Sequence, residues 1–359
     1  MMRPVWFDAR DPSLADRLAL APLSALSWCY GAGAVLHRAA YERRIAKRTR
    51  LACKVVSVGT LVAGGSGKTP LAAWIAAQLH ARGRRVALAS RGHGGKPREA
   101  VHIVSDGTRV LESVAVVGDE ALLLAQHAPG VPVLVARERA LAGERALDEF
   151  RAEVLVLDDG FQHHALERDV DLVAFSPHGL GNGALLPRGP LREPLAALSR
   201  AHALLVPAAK LAERDEALLA RFAPTAARFA VERAPRELRA LDGGSPSEPP
   251  AWLAGREVGA LSALAHPRAL RESLEKLGAR VVAERVFADH HRYAPREVGD
   301  LGRQAPLWIT SEKDGVKLDP TWMKGTDVRV LAERTSIAEP EKFIGWLVSA
   351  IDARSSRSA

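Results

Sequence analysis

Val62-Ala63-Gly64-Gly65-Ser66-Gly67-Lys68-Thr69-Pro70, entered from the apolar run Val55-Val56-Ser57-Val58, is the stretch on which the reading of this chain turns. Its Gly67-Lys68-Thr69 ending is that of a phosphate-binding loop, G-x-x-x-x-G-K-[ST], although Val62 stands where the first glycine belongs. Successive backbone N–H groups can wrap a phosphate only where no Cβ blocks the approach, and the helix that follows must aim its positive end at the anion. Gly64, Gly65 and Gly67, with Ser66 among them, meet the first condition. An apolar strand before the loop and a helical pattern from Pro70 meet the second. Lys68 would then reach the terminal phosphates, and Thr69 would offer its hydroxyl to Mg2+. The competing reading is a glycine-rich turn that happens to hold a lysine.

A second signal weakens that alternative. Val154-Leu155-Val156-Leu157 runs into Asp158-Asp159, an apolar strand ending in two carboxylates, as a P-loop fold needs to hold a metal or its waters. Around these motifs short β-branched runs, near 54–58, 85–89, 101–104, 131–135, 153–157, 170–175 and 203–206, alternate with helical patterns. That alternation predicts an α/β fold with a doubly wound, mostly parallel sheet. The stretch 242–250, rich in Gly, Ser and Pro, interrupts it like a surface loop. Strands near 258–261, 280–286 and 307–310 then begin a smaller α/β unit. The expected division is 1–50, hydrophobic and basic helices; 51–225, the P-loop core; 226–335, the smaller domain; and 336–359, a helix that packs back on the core, with a disordered tail.

Composition narrows the partners. The net charge of +8 favours an acidic ligand or surface, but aromatic residues make up only 5% and do not interleave with basic ones, so nucleic acid is not expected. Two cysteines, Cys29 and Cys53, cannot build a disulfide framework, and His163-His164 lacks further ligands at zinc spacing. The stretch Leu18–His37 carries no formal charge and is followed by Arg43, Arg44, Lys47, Arg48 and Arg50. Roughly 20 apolar residues span a bilayer, but Pro22, Ser24, Ser27, Gly31 and Gly33 make this a poor transmembrane segment. A helix resting on an anionic membrane surface and a buried helix beside a solvated basic one are both open.

A nucleotide site names no reaction. A kinase acting on an alcohol needs a base for the hydroxyl proton, and Asp119-Glu120 and Asp289-His290-His291 both offer one. A P-loop ATPase or switch would leave those residues without a chemical task.

In order along the chain stand Val58-Gly59 before the loop, Ser90-Arg91-Gly92, Gly118-Asp119-Glu120, Asp158-Asp159-Gly160-Phe161-Gln162-His163, Gly189-Pro190-Leu191-Arg192-Glu193-Pro194, Phe287-Ala288-Asp289-His290 and Thr310-Ser311-Glu312-Lys313-Asp314-Gly315-Val316-Lys317. In these the chain resembles the tetraacyldisaccharide 4′-kinases of lipid A biosynthesis, in which a loop without the leading glycine is usual. The resemblance implies two α/β/α domains around a cleft, ATP and Mg2+ as cofactors, and a tetraacyldisaccharide 1-phosphate as lipid substrate. It also implies a monomer docked by its N-terminal helix on the cytoplasmic face of the inner membrane. Residue by residue, Lys68 would stabilise the transferring phosphoryl group, with Gly64, Gly65, Ser66 and Gly67 cradling the nucleotide. Thr69, Glu120, Asp158 and Asp159 would hold the metal or its waters. Asp119 would take the hydroxyl proton with His290 tuning or relaying it, Gln162 would line the site, and Arg139, or its neighbour Arg137, would neutralise phosphate charge. Three positions depart from the family pattern: His93 replaces a tyrosine, Ala121 a proline and Arg188 an alanine. Arg192 and Glu193 read as a structural ion pair rather than substrate contacts.

Overall fold

Lys54–Gly59, buried at five of its six positions, is an interior strand of the sheet, flanked by neighbours on both sides. The computed structural model describes residues 7, 20–65, 67–266, 268–323 and 325–353. Among these, twelve strands are assembled into one sheet. In chain order they are β1 (Lys54–Gly59), β2 (Val86–Ser90), β3 (Val101–Ser105), β4 (Val133–Ala136), β5 (Val154–Asp158), β6 (Val170–Ala174), β7 (Ala203–Pro207), β8 (Ala227–Ala240), β9 (Glu257–Ser262), β10 (Arg280–Val286), β11 (Leu307–Ser311) and β12 (Asp327–Ile337). The spatial order is β10-β9-β11-β12-β8-β7-β6-β1-β5-β2-β4-β3. Pairing is parallel except at β3/β4 and β8/β12.

Side chains alternate across the sheet, which sorts them into separate cores. Val56 and Val58 face the helix Lys68–Ala81, whereas Val55 joins Leu155 and Leu157 under the helix Arg139–Phe150. The last helix, Pro340–Ala353, packs on the first of these faces through Phe343, Ile344, Leu347 and Ile351, with the Phe343 ring 4.9 Å from Phe229 and 6.0 Å from Trp74. Burying each such side chain is worth about 1.5–3 kcal/mol, so this helix is part of the core. The proposed tail beyond 353 lies outside the described residues.

The sheet does not stop at the expected boundary near residue 225. β8 pairs with β7 on one side and with β12 on the other, so hydrogen bonds run unbroken from the P-loop half into the smaller half. The N-terminal helix spans Ala21–Glu42 and seats on the segment 182–194: Ser27 Oγ donates to the Leu185 carbonyl at 2.8 Å, and Tyr30 OH donates to the Arg192 carbonyl at 3.0 Å. Gly31 lies at this contact, where a Cβ would come 2.6 Å from Leu185 Cδ1 and that side chain would have to turn aside. No helix among the described residues is long and apolar enough to cross a membrane.

Candidate active site

β1 lies between β5 and β6, so the loop leaving it opens at a point where the chain order reverses, the usual ligand crevice of an α/β sheet. Gly67 holds φ +67°, a conformation glycine adopts without steric cost, and directly caps the helix Lys68–Ala81. A Cβ at Gly67 would collide with the guanidinium of Arg233, which reaches over from β8. Ser66 lies outside the described residues.

Behind the loop, Thr69 Oγ1 donates to Asp158 Oδ2 at 2.9 Å. Burial pushes the Asp158 carboxyl well above the ordinary carboxylate range; Lys68 opposes this, while Glu120 and Asp159 add to it. Its other oxygen, Oδ1, is buried without a hydrogen-bond partner, as is Gln162 Oε1, while Gln162 Nε2 donates to the Thr60 carbonyl at 3.1 Å. Burial alone would lower Lys68, but Asp159, Glu120 and Asp158 outweigh it and hold the ammonium above its ordinary value. Orphaned carboxylate oxygen among mutually repelling carboxylates is an environment that a divalent cation would relieve. Among the described residues no three His, Cys, Asp or Glu side chains converge as a self-sufficient metal cage. Mg2+ usually takes one or two protein ligands and completes its shell with phosphate oxygens and water, and the Thr69 hydroxyl beside the Asp158 carboxylate offers that number.

Asp159 is placed differently from Asp158. Its φ of +56° is unusual outside glycine and turns the carboxylate toward Arg192, whose Nη1 donates to Oδ1 and Oδ2 at 3.0 and 2.9 Å, with Lys68 Nζ 3.9 Å away. Arg192 and Glu193 therefore pair with other residues and not with each other, Glu193 being held by Arg200 at 2.9 Å. Arg139 is buried at the start of its helix, while Arg137 is exposed. Burial, then Arg91, lowers the Arg139 guanidinium to about 10 against the pull of Asp159 and Asp158, and its Nε has no partner.

The second half of the molecule reaches Asp119 through the loop that carries His290 and through Lys313 and Lys317. His290 Nδ1 lies 3.2 Å from both oxygens of Asp119, which is 3% exposed. Burial would raise Asp119, but the His290 hydrogen bond and the charges of Lys313, His290 and Lys317 bring it below the ordinary value, so it stands ready as a carboxylate. His290 is itself held at φ +60°, and strained backbone of this kind is concentrated at functional sites. The position that departs from the family tyrosine is filled: the His93 ring packs edge-on against His290 at 4.8 Å. Asp119, His290, Arg292, Tyr293 and Lys317 line a cavity of about 200 Å3. His163 and His164 are pulled down to about 4 and about 3, by burial first and then by neighbouring arginines, and so are neutral imidazoles near pH 7.

Sequence reasoning singled out Lys68, Thr69, Asp119, Glu120, Asp158, Asp159, Gln162 and His290; it gave no task to Arg233, Lys313 or Lys317. The last two stand in a motif whose order was visible, but the spacing alone does not reveal that it folds back on Asp119.

A family described as tetraacyldisaccharide-1-P 4′-kinase matches residues 18–352. A tetraacyldisaccharide 4′-kinase of Anaeromyxobacter sp. (strain Fw109-5) is 41% identical over 98% of this chain and 96% of its own length. One from Halothermothrix orenii is 36% identical over 85% of this chain and 84% of its own. Among solved structures, the "apo" form of LpxK from Aquifex aeolicus in complex with ATP superposes with a TM-score of 0.74 at 30% identity, covering 93% of this chain and 99% of that one.

Proposed function

The chain belongs to the tetraacyldisaccharide 4′-kinase family, and from that premise we propose how its residues divide the work. The enzyme uses ATP and Mg2+ to phosphorylate the 4′-hydroxyl of tetraacyldisaccharide 1-phosphate, forming lipid IV-A in lipid A biosynthesis. A sugar hydroxyl attacks poorly until its proton begins to leave, and Asp119 is the base placed to take it. His290 orients that carboxylate and supports its charge. Lys68 stabilises the transferring phosphoryl group, and the glycine loop fixes the nucleotide by backbone contacts. Thr69 and Asp158 would hold the metal, with Glu120 and Asp159 toward its waters, and Mg2+ held there would neutralise charge developing on the phosphate oxygens. Arg192 keeps Asp159 turned toward Lys68, and the partnerless Nε of Arg139 is available to an anion.

The observation that carries this reading is the contact of His290 with Asp119 across 171 residues of sequence, beside a P-loop whose Thr69 bonds Asp158. The test is incubation of the purified protein with γ-labelled ATP, Mg2+ and tetraacyldisaccharide 1-phosphate in detergent micelles. The lipid should gain one phosphoryl group on its 4′-oxygen, and Asp119→Ala should cut turnover at least about 100-fold, the scale of a general base. Label released only as free phosphate would instead support an ATPase.

The same reading places the protein as a monomer, peripheral on the cytoplasmic face of the inner membrane. Trp28, Val35 and Leu36 are exposed on the N-terminal helix, at 82%, 40% and 70%, at spacings that share one face. They also line an apolar cavity of about 900 Å3 with Gly31, Ala184 and Leu185, suited to acyl chains. Arg43, Arg44, Lys47 and Arg48 are exposed just beyond the helix, where they would meet anionic lipid. Sedimentation with anionic vesicles should be lost progressively in Trp28→Ser and Leu36→Ser; unchanged binding would remove the helix from this role.

A further inference from the structure

Asp119 has a basic neighbour that the Asp119–His290 pair does not require. Lys317 follows the short helix Glu312–Gly315, its side chain is 5% exposed, and its Nζ lies 3.8 Å from Asp119 Oδ2 and 2.8 Å from Asp314 Oδ1. An ammonium buried to this extent is costly unless carboxylates compensate it, and here one comes from each half of the molecule. Asp314 is fixed in turn: it is fully buried, and its Oδ2 accepts from the Ala263 amide at 3.0 Å and from Ser311 Oγ at 2.7 Å. The ammonium also lies 5.4 Å from the centre of the Tyr293 ring, which closes its remaining side. Lys313 takes a different route, donating to Asp289 at 2.8 Å beside His290 Nε2 at 3.2 Å, so it steadies the histidine while Lys317 steadies the carboxylate.

We propose that Lys317 is a positioning residue for phosphoryl transfer, anchoring the Asp119 carboxylate to the buried Asp314 at the ends of β9 and β11. This rests on Asp119 being the base. The anchor acts through the carboxylate: Asp314 Oδ2 is fixed at strand ends, Lys317 is ion-paired with Asp314 Oδ1, and Asp119 has the Lys317 ammonium at Oδ2 while it accepts from the Glu120 amide at Oδ1. Displacing a reacting group by about 1 Å can cost about 100-fold in rate, so the loss belongs in kcat and not in nucleotide affinity.

The experiment compares the full-length enzyme with Lys317→Met, Asp119→Ala and the double variant. Expected for Lys317→Met is a fall in kcat of about 10- to 100-fold with the KM for ATP within about twofold. In the Asp119→Ala background the same substitution should have no further effect, because an anchor without its carboxylate has nothing to position. Should Lys317→Met fail to fold, Lys317→Cys in a Cys29→Ser, Cys53→Ala background, alkylated with 2-bromoethylamine to restore an ammonium and checked by mass for one added group, decides in its place; recovery of kcat in the alkylated protein supports the anchor and no recovery in it overturns the anchor. An unchanged kcat in Lys317→Met, or a loss that multiplies in full onto that of Asp119→Ala, would overturn this proposal and leave Asp119 as the base. Near-normal turnover of Asp119→Ala alone would overturn the base itself, and the anchor with it.

Discussion

The two halves of the sheet are built on different principles. β1, β2, β4, β5 and β6 are almost wholly buried, apolar strands covered on both faces, and the site they carry sits where they end: a glycine loop and helix start with Lys68 and Thr69, and a strand end with Asp158 and Asp159. β8 and β10 alternate or remain partly exposed, and their half contributes to the site through side chains: Arg233 on β8, His290 on a connecting loop, Lys313 on a short helix and Lys317 just after it. The lesson is a division of labour. A close-packed half can hold phosphate groups in a fixed cradle and carries Asp119 beside it, whereas the second half brings the groups that hold Asp119 in place and can be set by how the two halves meet.

Removing the cradle's cation gives the largest effect expected. Lys68→Ala should lower phosphoryl transfer by about 1,000-fold or more, equivalent to about 4 kcal/mol of barrier, and any background ATP hydrolysis should fall with it. Retained hydrolysis would show that the cradle is not the common element. Next comes the packing on which the cradle stands. Phe343→Ala, far from any reacting atom, should destabilise the protein by about 3–5 kcal/mol in denaturant titration. A cost below about 1 kcal/mol would mean that the last helix is an appendage and not core. A smaller loss tests the second half: His290→Ala should reduce turnover about tenfold to 100-fold while ATP binding, followed by calorimetry, stays unchanged. Weakened nucleotide binding in that variant would erase the division. The smallest effect is at the surface, where Asp352→Ala removes the partner of Arg84 at 2.9 Å and should change stability by less than about 1 kcal/mol.

The same contrast explains what could be read from sequence. Runs such as Val154-Leu155-Val156-Leu157 announce a strand buried on both faces, and the residues at their ends announce a site. β8 announces nothing of the kind. Ala227–Ala240 carries Arg228, Glu232, Arg233, Arg236, Glu237 and Arg239 as well as Pro235, so it looks like a polar connector. It becomes a 14-residue strand because β7 and β12 pair with it, and Pro235 is accommodated where the register shifts between Ala332 and Glu333. Arg192 was visible as part of a motif, yet its partner, Asp159, depends on a left-handed backbone turn that no local pattern encodes. Lys317 ends a run of eight residues whose pattern assigns it no role, because its significance depends on a contact with residue 119 that only the tertiary fold makes.

The exposed Trp28, Val35 and Leu36 face has a kinetic consequence on the docking reading proposed above. An enzyme seated among acyl chains meets its acceptor in two dimensions, so the concentration it responds to is the mole fraction of substrate in the surface and not the number of moles per litre. Adding inert detergent at constant bulk substrate should then slow the reaction, as dilution within a film slows any encounter confined to it.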